Sequence, residues 1–514
     1  MTERSDLALV IDLGSTGLKV GVASLDGSLI STKHATLLTT SPVKGAAHQD
    51  ATEWWDLVCS MARDQVSALD AARVKAVAIG GQYASVVPVD DMGVPVGPCI
   101  MWSDARGGRH VRAKVGGPIA GLKPRAALSF VTKTGGAPSP SGTDGAGSIL
   151  HLTTDQPEIA SSASWFLEPV DYLTMRFTGV ASATHASMFG WWLTDNRHPE
   201  VLRYDPTLLS LLGIDDSKLA PLVPFGSLIG EVTPDAAHAS GLLAGTPVVA
   251  GIPDLHAAAL GAGTTEVGGP GHLALSTTSW ISAPMAKKKT DIFHSIATMP
   301  GLDPSTSLII NNHEIGAKAL EWLGGALGIE APIDFDALTA EAATAEPGSG
   351  SILFTPWLAG ERSPVESHSA RGGFHNLSLD TSRPDLIRAT MEGVAYNSRW
   401  LCEYVDAFAG APIAPLRLVG GGATSKLWCQ IHADVLGRSI EQVADPMVAQ
   451  LRGTALLAGR SLGVISADEV PALVSIAQRF EPDPVAQKAY EPLYAEFPKL
   501  MKTQRPMFRR LQRR

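Results

Sequence analysis

Two aspartates in the first half of the chain each end an apolar run. The first, Asp12, is followed by Gly14, Ser15 and Thr16, and Lys19 comes a few residues later. Glycines let the backbone approach a ligand closely, and free amides and hydroxyls can hold a polyphosphate. A carboxylate that faces phosphates commonly binds a metal ion. The stretch predicts a phosphate-binding turn with Asp12 as metal ligand, and an ordinary solvated hairpin is the alternative.

The second aspartate, Asp254, follows a short apolar strand pattern and precedes a helical stretch of small residues. An aspartate before a helix is commonly its N-cap. At a strand end that faces a cleft, the carboxylate can instead take the proton of a substrate hydroxyl that attacks phosphorus. We predict that Asp254 is the catalytic base. His256 is predicted to be structural, because no other histidine has metal-ligand spacing to it.

A third group of residues suits a substrate rich in hydroxyls. Trp102, Asp104 and Arg106 lie within five residues, and Gln82 ends an apolar strand pattern. An aromatic ring can stack on carbons while charged and amide groups hold hydroxyls. The alternative for Trp102 to Arg106 is a helix start with a local Asp–Arg pair.

The second half of the chain repeats the hydroxyl-rich hairpin and adds a glycine motif. Residues 272–281 place Thr277 and Thr278 between two apolar strands, which suggests two domains of related build around a shared cleft. Residues 416–430 predict a strand, a turn through Gly421 and Gly422, and a helix after Ser425. A nicotinamide-dependent dehydrogenase is the alternative for this motif, but the glycine spacing is not GxGxxG.

Composition and length limit the classes to which the protein can belong. Strand and helix patterns alternate, which indicates an α/β protein, and 514 residues favour two domains. With 45% hydrophobic and 18% charged residues, the chain is typical of a soluble globular enzyme. The net charge of −10 argues against nucleic-acid binding.

Further features concern the cellular compartment. The 4 cysteines are scattered, as in proteins of a reducing compartment. The polar residues 1–6 do not resemble a secretory signal, and no apolar run reaches the roughly 18 residues of a membrane span. We expect a cytoplasmic protein without membrane contact.

Local patterns predict the elements that must position these residues. A three-stranded meander begins the chain, and helices are predicted over 51–69, 310–327 and 383–404. The helix over 310–327 would carry Asn311 and Asn312 near its start. The basic residues from about Lys499 onward predict a frayed, solvated tail.

These motifs together resemble the FGGY carbohydrate kinases, and most of all the xylulokinase branch of that family. Their order and spacing match from about residue 7 to residue 465. The resemblance implies two actin-like ATPase domains of the ribonuclease-H-like type around a central cleft. Residues 1–264 would bind the sugar and supply the base, and residues 265–514 would bind the nucleotide.

The resemblance also implies an ATP-dependent kinase that uses Mg²⁺, acts on a small sugar or polyol, and is compatible with a homodimer. Asp12 would position Mg²⁺, and Asp254 would act as the base. The residues implied around the phosphates are Gly14, Ser15, Thr16, Lys19, Thr277 and Thr278. Those implied around the adenosine are Gly421, Gly422 and Ser425. Those implied in the sugar pocket are Gln82, Trp102, Asp104 and Arg106, together with Asp254.

Several departures from the xylulokinase pattern concern the substrate. Xylulokinases show Met-His-Gly after the glutamine, where this chain has Tyr83-Ala84-Ser85, and asparagine after the catalytic aspartate, where it has Leu255. Thr277 and Asn376 replace family glycines. A site that lacks these polar groups should bind a different substrate or use other partners. D-xylulose stays the leading prediction for the substrate. Because of these departures, ribulose, a tetritol and a glycerol-like polyol are alternative substrates. A non-catalytic actin-like ATP-binding protein is the alternative to a kinase.

Overall fold

The computed structural model describes residues 6–512, and its first half is built on a mixed sheet. The strand order is β10-β11-β5-β1-β2-β3, with β12 also paired to β5. β1 runs antiparallel to β2 and parallel to β5. The strands of this half are β1 (Leu7–Leu13), β2 (Gly17–Ser24), β3 (Leu29–Thr36), β4 (His48–Gln49), β5 (Val74–Gly81), β6 (Val87–Val89), β7 (Cys99–Ile100), β8 (Gly116–Ile119), β9 (Trp165–Leu167), β10 (Leu228–Glu231), β11 (Pro247–Val249) and β12 (Ile252–Pro253).

The predicted meander and first helix are both confirmed. The apolar runs of β1 and β2 meet at the turn after Leu13, and the turn after Ser24 leads into β3. The first helix starts where the Asp50 side chain accepts a hydrogen bond from the Thr52 amide. The helices of this half are α1 (Ala51–Val66), α2 (Gly108–Val115), α3 (Pro124–Lys133), α4 (Gly145–Asp155), α5 (Pro157–Ser162), α6 (Pro169–Thr178), α7 (Pro206–Leu212), α8 (Pro234–Ser240) and α9 (Asp254–Gly261).

The second half repeats the central part of this sheet. The strand order is β14-β13-β21-β22-β23, and β13 is antiparallel to β14 and parallel to β21, as β1 is to β2 and β5. A separate antiparallel sheet has the order β15-β18-β17-β16. The strands are β13 (Gly271–Leu275), β14 (Ser279–Ser282), β15 (Pro284–Met285), β16 (Thr290–Asp291), β17 (Ile296–Pro300), β18 (Ser307–Ile310), β19 (Leu353–Thr355), β20 (Gly373–His375), β21 (Leu416–Val419), β22 (Ile440–Val443) and β23 (Ile476–Phe480).

Two predictions for the second half are wrong. Residues 310–317 are not helical, because the side chain of Asn311 bonds to the backbone of Ile281 as a neighbouring strand would, through Oδ1 at 3.0 Å and Nδ2 at 2.7 Å. The basic tail is not frayed, since it is part of a long helix that buries Met501 and Phe508. The helices are α10 (Lys318–Ala326), α11 (Phe335–Ala342), α12 (Arg383–Ala409), α13 (Lys426–Leu436), α14 (Ala449–Ser461), α15 (Val470–Leu473) and α16 (Pro484–Leu511).

Helices α9 and α14 pack against each other between the two sheets. They cross closely at two glycines: a Cβ at Gly261 would lie 1.7 Å from the carbonyl oxygen of Ala449, and one at Gly453 would lie 1.8 Å from that of Ala257. One hydrophobic cluster contains residues of both helices and of both sheets. The strand ends of the two sheets are therefore held around one shared core, while the predicted boundary between residues 264 and 265 stays a prediction.

The polar start of the chain lies mostly in residues 1–5, and the basic end includes residues 513–514, both outside the described residues. Within residues 6–512, no helix is both long and apolar enough to cross a membrane.

Candidate active site

The turn between β1 and β2 has a fixed backbone and free donors. The Gly14 amide donates to Gly17 O at 2.9 Å, and the Thr16 carbonyl accepts from the Leu37 amide at 3.0 Å. Gln49 Nε2 donates to Ser15 O at 2.7 Å. Among residues 6–512, the amides and hydroxyls of Ser15 and Thr16 have no protein partner. This turn can therefore donate several hydrogen bonds to an anion.

Asp12 lies at the end of β1 and pairs with Lys19 across the hairpin. The two residues are register partners, and Lys19 Nζ lies 3.0 Å from Asp12 Oδ2. The aspartate is only 4% exposed. Its other oxygen, Oδ1, accepts no hydrogen bond within the described part of the chain. A buried carboxylate with a free oxygen beside an anion-binding turn fits the oxygen ligands that Mg²⁺ prefers.

Asp254 lies beside Asp12 because the same strand aligns both. β5 pairs with β1 at Asp12↔Gly80 and with β12 at Ile252↔Gly80, so both carboxylates end up at one edge of the sheet. Asp254 Oδ1 accepts the Leu255 amide at 2.8 Å. Burial raises the pKa of Asp254 to about 7, and the negative charge of Asp12 contributes to the rise. A carboxylate with this pKa is matched to general-base chemistry near neutral pH.

Gln82 follows β5 and carries an unpaired buried acceptor. Its backbone amide donates to Leu13 O at 2.7 Å, and the residue is 4% exposed. Its Nε2 lies 3.5 Å from Gln49 Oε1, while its Oε1 is buried without a partner in the described chain. An orphaned buried acceptor costs free energy unless a ligand pairs with it. Gln49, which links this group to the Ser15 carbonyl, carried no sequence signal because it stands in a two-residue strand.

The segment from Trp102 to Arg106 contains the local pair that the sequence left as the alternative. The Asp104 carboxylate accepts from the Ala47 amide at 2.9 Å and from Arg106 Nη2 at 2.7 Å. Burial opposes ionisation of Asp104, but the hydrogen bonds from Arg106 and Ala47 outweigh it and lower its pKa. Arg106 Nη1 has no partner in residues 6–512. Asp104 thus orients Arg106, whose free nitrogen can bind a ligand.

The glycine loop after β21 lies against the end of β13. A Cβ at Gly420 would be 2.4 Å from Ser276 Oγ, and one at Gly422 would be 2.5 Å from the Leu275 side chain. At Gly421 a Cβ would meet nothing within 4 Å. The open backbone face at Gly421 can accept a flat ring, whereas Gly420 and Gly422 are required for packing. Gly420, with φ +94°, is a site residue that the sequence analysis missed.

The second hydroxyl-rich turn is held by the start of α10. The Gly316 amide donates to Thr277 O at 2.8 Å, and the Ala317 amide donates to Ser276 O at 2.6 Å. A Cβ at Gly316 would lie 2.5 Å from Thr278 O. Within the described residues the threonine hydroxyls have no partner, as in the first turn. Gly316 could not be found from sequence, since the pattern there predicted a helix interior.

Ser425 serves the backbone rather than a free site. It is the N-cap of α13, and its hydroxyl accepts the Trp428 amide at 3.2 Å. Trp428 is a core residue, and its Nε1 donates to Met391 O at 2.9 Å. His256 is also buried, with Nε2 at 2.8 Å from Pro300 O, as the structural interpretation requires.

The two halves of the chain meet at this group of residues. One narrow cavity is lined by residues from both halves: Ala258 of α9 from the first half, and Ser276, Trp280, Gly420 and Gln450 of α14 from the second. Burial and the charge of Asp254 raise the pKa of Tyr83, and the charge of Arg362 opposes this rise.

Arg362 Nη2 forms an ion pair with Glu314 Oε1 at 2.9 Å. The two donor-bearing turns follow equivalent strands of the two sheets, and the carboxylates of Asp12 and Asp254 lie at one sheet edge, an arrangement suited to phosphoryl transfer.

Family comparisons agree with this geometry. The model of the N-terminal domain of the FGGY family of carbohydrate kinases matches residues 7–261, and the model of its C-terminal domain matches residues 302–462. The chain therefore belongs to the FGGY family of carbohydrate kinases. It is a sugar kinase, a phosphotransferase with an alcohol group as acceptor.

Individual relatives match over nearly the whole chain. Xylulose kinase from Escherichia coli (strain K12) is 28% identical over 97% of this chain and 99% of the relative. Gluconokinase from Bacillus subtilis (strain 168) is 25% identical over 96% of both. The crystal structure of xylulose kinase from Rhodospirillum rubrum superposes with a TM-score of 0.83 at 27% identity, covering 98% of this chain and 100% of that one. The predicted two-domain actin-like ATPase fold is confirmed.

Proposed function

We propose that this protein transfers the γ-phosphate of ATP to a hydroxyl of a ketopentose, with D-xylulose favoured and Mg²⁺ as the metal. The observation that carries the proposal is the environment of Asp254. Its carboxylate, with a pKa of about 7, stands beside Asp12 and follows the strand that flanks Gln82. A base that titrates near neutral pH, beside a metal-type carboxylate and an orphaned amide oxygen, suits activation of a sugar hydroxyl.

Each part of the cleft has a role in this mechanism. Asp254 takes the proton of the attacking hydroxyl. The amides and hydroxyls of the Ser15–Thr16 turn and the Thr277–Thr278 turn hold the phosphates, with Lys19 adding positive charge. Asp12 would hold Mg²⁺, which neutralises charge on the transferring phosphoryl group. Closure of the two domains excludes water, which would otherwise hydrolyse ATP.

The nucleotide and sugar lie on opposite sides of the phosphates in this proposal. The open backbone at Gly421 receives the adenosine, with Gly422 and the Ser425 cap fixing the loop. On the other side, the Gln82 amide, the Trp102 ring and the free Arg106 nitrogen hold the sugar. Asp104 acts through Arg106, because donors from Ala47 and Arg106 already occupy its oxygens.

The choice of sugar rests on the relatives and on one buried position. The Escherichia coli xylulose kinase supports D-xylulose, whereas the Bacillus subtilis gluconokinase keeps a sugar acid as an alternative. Leu255 is 3% exposed and packs in the core between the domains, so its position offers the sugar no polar group. Ribulose, a tetritol and a glycerol-like polyol therefore remain alternatives to D-xylulose.

The test is sugar-dependent ADP release with Mg·ATP against D-xylulose, ribulose, gluconate, tetritols and glycerol. Asp254→Asn should abolish turnover. Asp235→Asn is the matched control, since Asp235 is an exposed aspartate in the first turn of α8, as Asp254 is in the first turn of α9. Activity with another polyol would keep the mechanism and change the substrate. If Asp254→Asn still releases ADP without any sugar, the result would favour an actin-like ATPase that does not phosphorylate sugars.

A further inference from the structure

Glu168 is a fully buried carboxylate that no step of the proposed mechanism uses. It is 0% exposed and directly precedes α6. Its Oε1 accepts the Ala84 amide at 2.8 Å, and its Oε2 accepts the Ser85 amide at 3.2 Å. Trp191 Nε1 also donates to Oε1. Burial, and then the charge of Asp171, raise the pKa of Glu168 well above its usual range, while these three donors oppose the rise.

The segment that Glu168 holds has an unusual backbone. Ala84 has φ +64°, in the left-handed region that residues with a Cβ rarely adopt. A Cβ at Gly190 would lie 2.4 Å from the Ala84 Cβ, so the neighbouring chain leaves room for this conformation only because residue 190 is glycine. We name the interaction of Glu168 with Ala84, Ser85 and Trp191 the Glu168 clasp. The hydrogen bonds of the clasp hold the backbone directly after Gln82 in a strained conformation.

The clasp is connected to the sugar pocket on two sides. The clasped residues follow Gln82 and Tyr83 without a break, and Gln82 carries the orphaned acceptor. On the other side, the Ser85 hydroxyl accepts the Trp102 amide at 3.0 Å. The next residue, Val86, exchanges backbone hydrogen bonds of 2.9 Å with Ile100. Movement of the clasped segment would therefore shift both Gln82 and Trp102.

We propose that Glu168 is a positioning residue for the sugar: its carboxylate fixes the 83–85 segment and thereby sets the places of Gln82 and Trp102. The inference rests on the proposed function, because it assigns these two residues to the sugar. Among the described residues, the clasp forms no hydrogen bond with the phosphate turns or with the glycine loop. It should therefore act on sugar binding and not on ATP binding.

The test compares Glu168→Ala, Glu168→Gln and Asp171→Asn. Asp171 is a matched control: it is buried on α6, accepts from Ser187 Oγ at 2.8 Å, and accepts no hydrogen bond from Ala84, Ser85 or Trp191. We expect Glu168→Ala to raise the KM for the sugar by about tenfold or more, because the amides of Ala84 and Ser85 lose their acceptor. The KM for ATP should stay within about twofold.

Glu168→Gln retains one acceptor oxygen and should give a sugar KM between those of wild type and Glu168→Ala. Ser85→Ala removes the acceptor of the Trp102 amide with little loss of volume, so it should raise the sugar KM even if Glu168→Ala fails to fold. Asp171→Asn should leave both KM values unchanged. Equal effects of Glu168→Ala and Asp171→Asn, or a parallel rise of the KM for ATP, would overturn the inference.

Hydrogen exchange of the Ala84 and Ser85 amides tests the clasp without any substrate. Both amides should exchange faster in Glu168→Gln than in wild type and stay protected in Asp171→Asn; unchanged exchange in Glu168→Gln would overturn the clasp. If the wild-type chain phosphorylates no sugar, the proposed function fails, while this exchange result still decides whether Glu168 fixes the segment.

Discussion

Replacing Asp254 by asparagine should inactivate the enzyme and stabilise it at the same time. Asparagine keeps the oxygen that accepts the Leu255 amide at 2.8 Å but cannot take a proton or carry charge. Loss of a general base lowers kcat by about 10²–10⁴-fold. In the wild type, burial and the adjacent charge of Asp12 disfavour the ionised carboxylate of Asp254.

The size of the stabilisation follows from the pKa. A rise from an ordinary aspartate value of about 3.9 to about 7 corresponds to about 4 kcal/mol against the ionised form at high pH. The residue is partly exposed, so solvent screening makes about 4 kcal/mol an upper limit. The sign follows from protonation: below the unfolded pKa of about 3.9 both states are neutral, and the wild type loses stability as the pH rises from there to the folded pKa of about 7, above which the loss is complete.

The assay is thermal unfolding of wild type and Asp254→Asn at pH 4 and pH 8, with kcat measured in parallel. We expect nearly equal melting temperatures at pH 4 and a higher one for the variant at pH 8. The wild-type kcat/KM for sugar should rise with pH and level off above about 7. If Asp254→Asn keeps turnover, Asp254 is not the base. If the variant is less stable than wild type at pH 8, the ionised Asp254 carboxylate does not destabilise the fold.

Three further outcomes follow from the structure. Gly421→Ala should weaken ATP binding in a calorimetric titration without lowering the melting temperature, because its Cβ meets nothing within 4 Å; Gly325→Ala, equally open in α10, should change neither. Truncation after residue 498 should lower the melting temperature, because it removes the buried Met501 and Phe508, each contributing about 2 kcal/mol; an unchanged melting temperature would show that this part of α16 does not pack. Chelation of Mg²⁺ should stop sugar-dependent ADP release, and activity that persists in EDTA would contradict the metal role of Asp12.

Several elements could be predicted because their signals are local. The hairpins β1-β2 and β13-β14 combine apolar runs with small turn residues, and both are found where the pattern places them. The helix predicted over 383–404 is extended to Ala409, with Ser382 as its cap. The family followed from the order of such motifs, and the matching family models confirm it.

Other elements could not be predicted because distant contacts override the local pattern. Residues around Asn311 have helical spacing, yet the Asn311 side chain pairs with Ile281 and the helix begins only at Lys318. Charge alone indicated a frayed end, but Met501 and Phe508 lie two turns apart on one face of α16 and pack into the core. In both regions, packing free energy outweighs the local preference.

The sequence by itself determined the residue types of the site: the carboxylates, the hydroxyl-rich turns, the glycines and the Trp102–Arg106 segment. Only the tertiary structure decided what each one does. It brought Asp254 beside Asp12 through their shared neighbour β5, occupied the oxygens of Asp104 with Arg106, and placed Glu168 behind the 83–85 segment. The physical reason is that burial and charge depend on neighbours that are distant along the chain, and these neighbours set a carboxylate's pKa and free lone pairs.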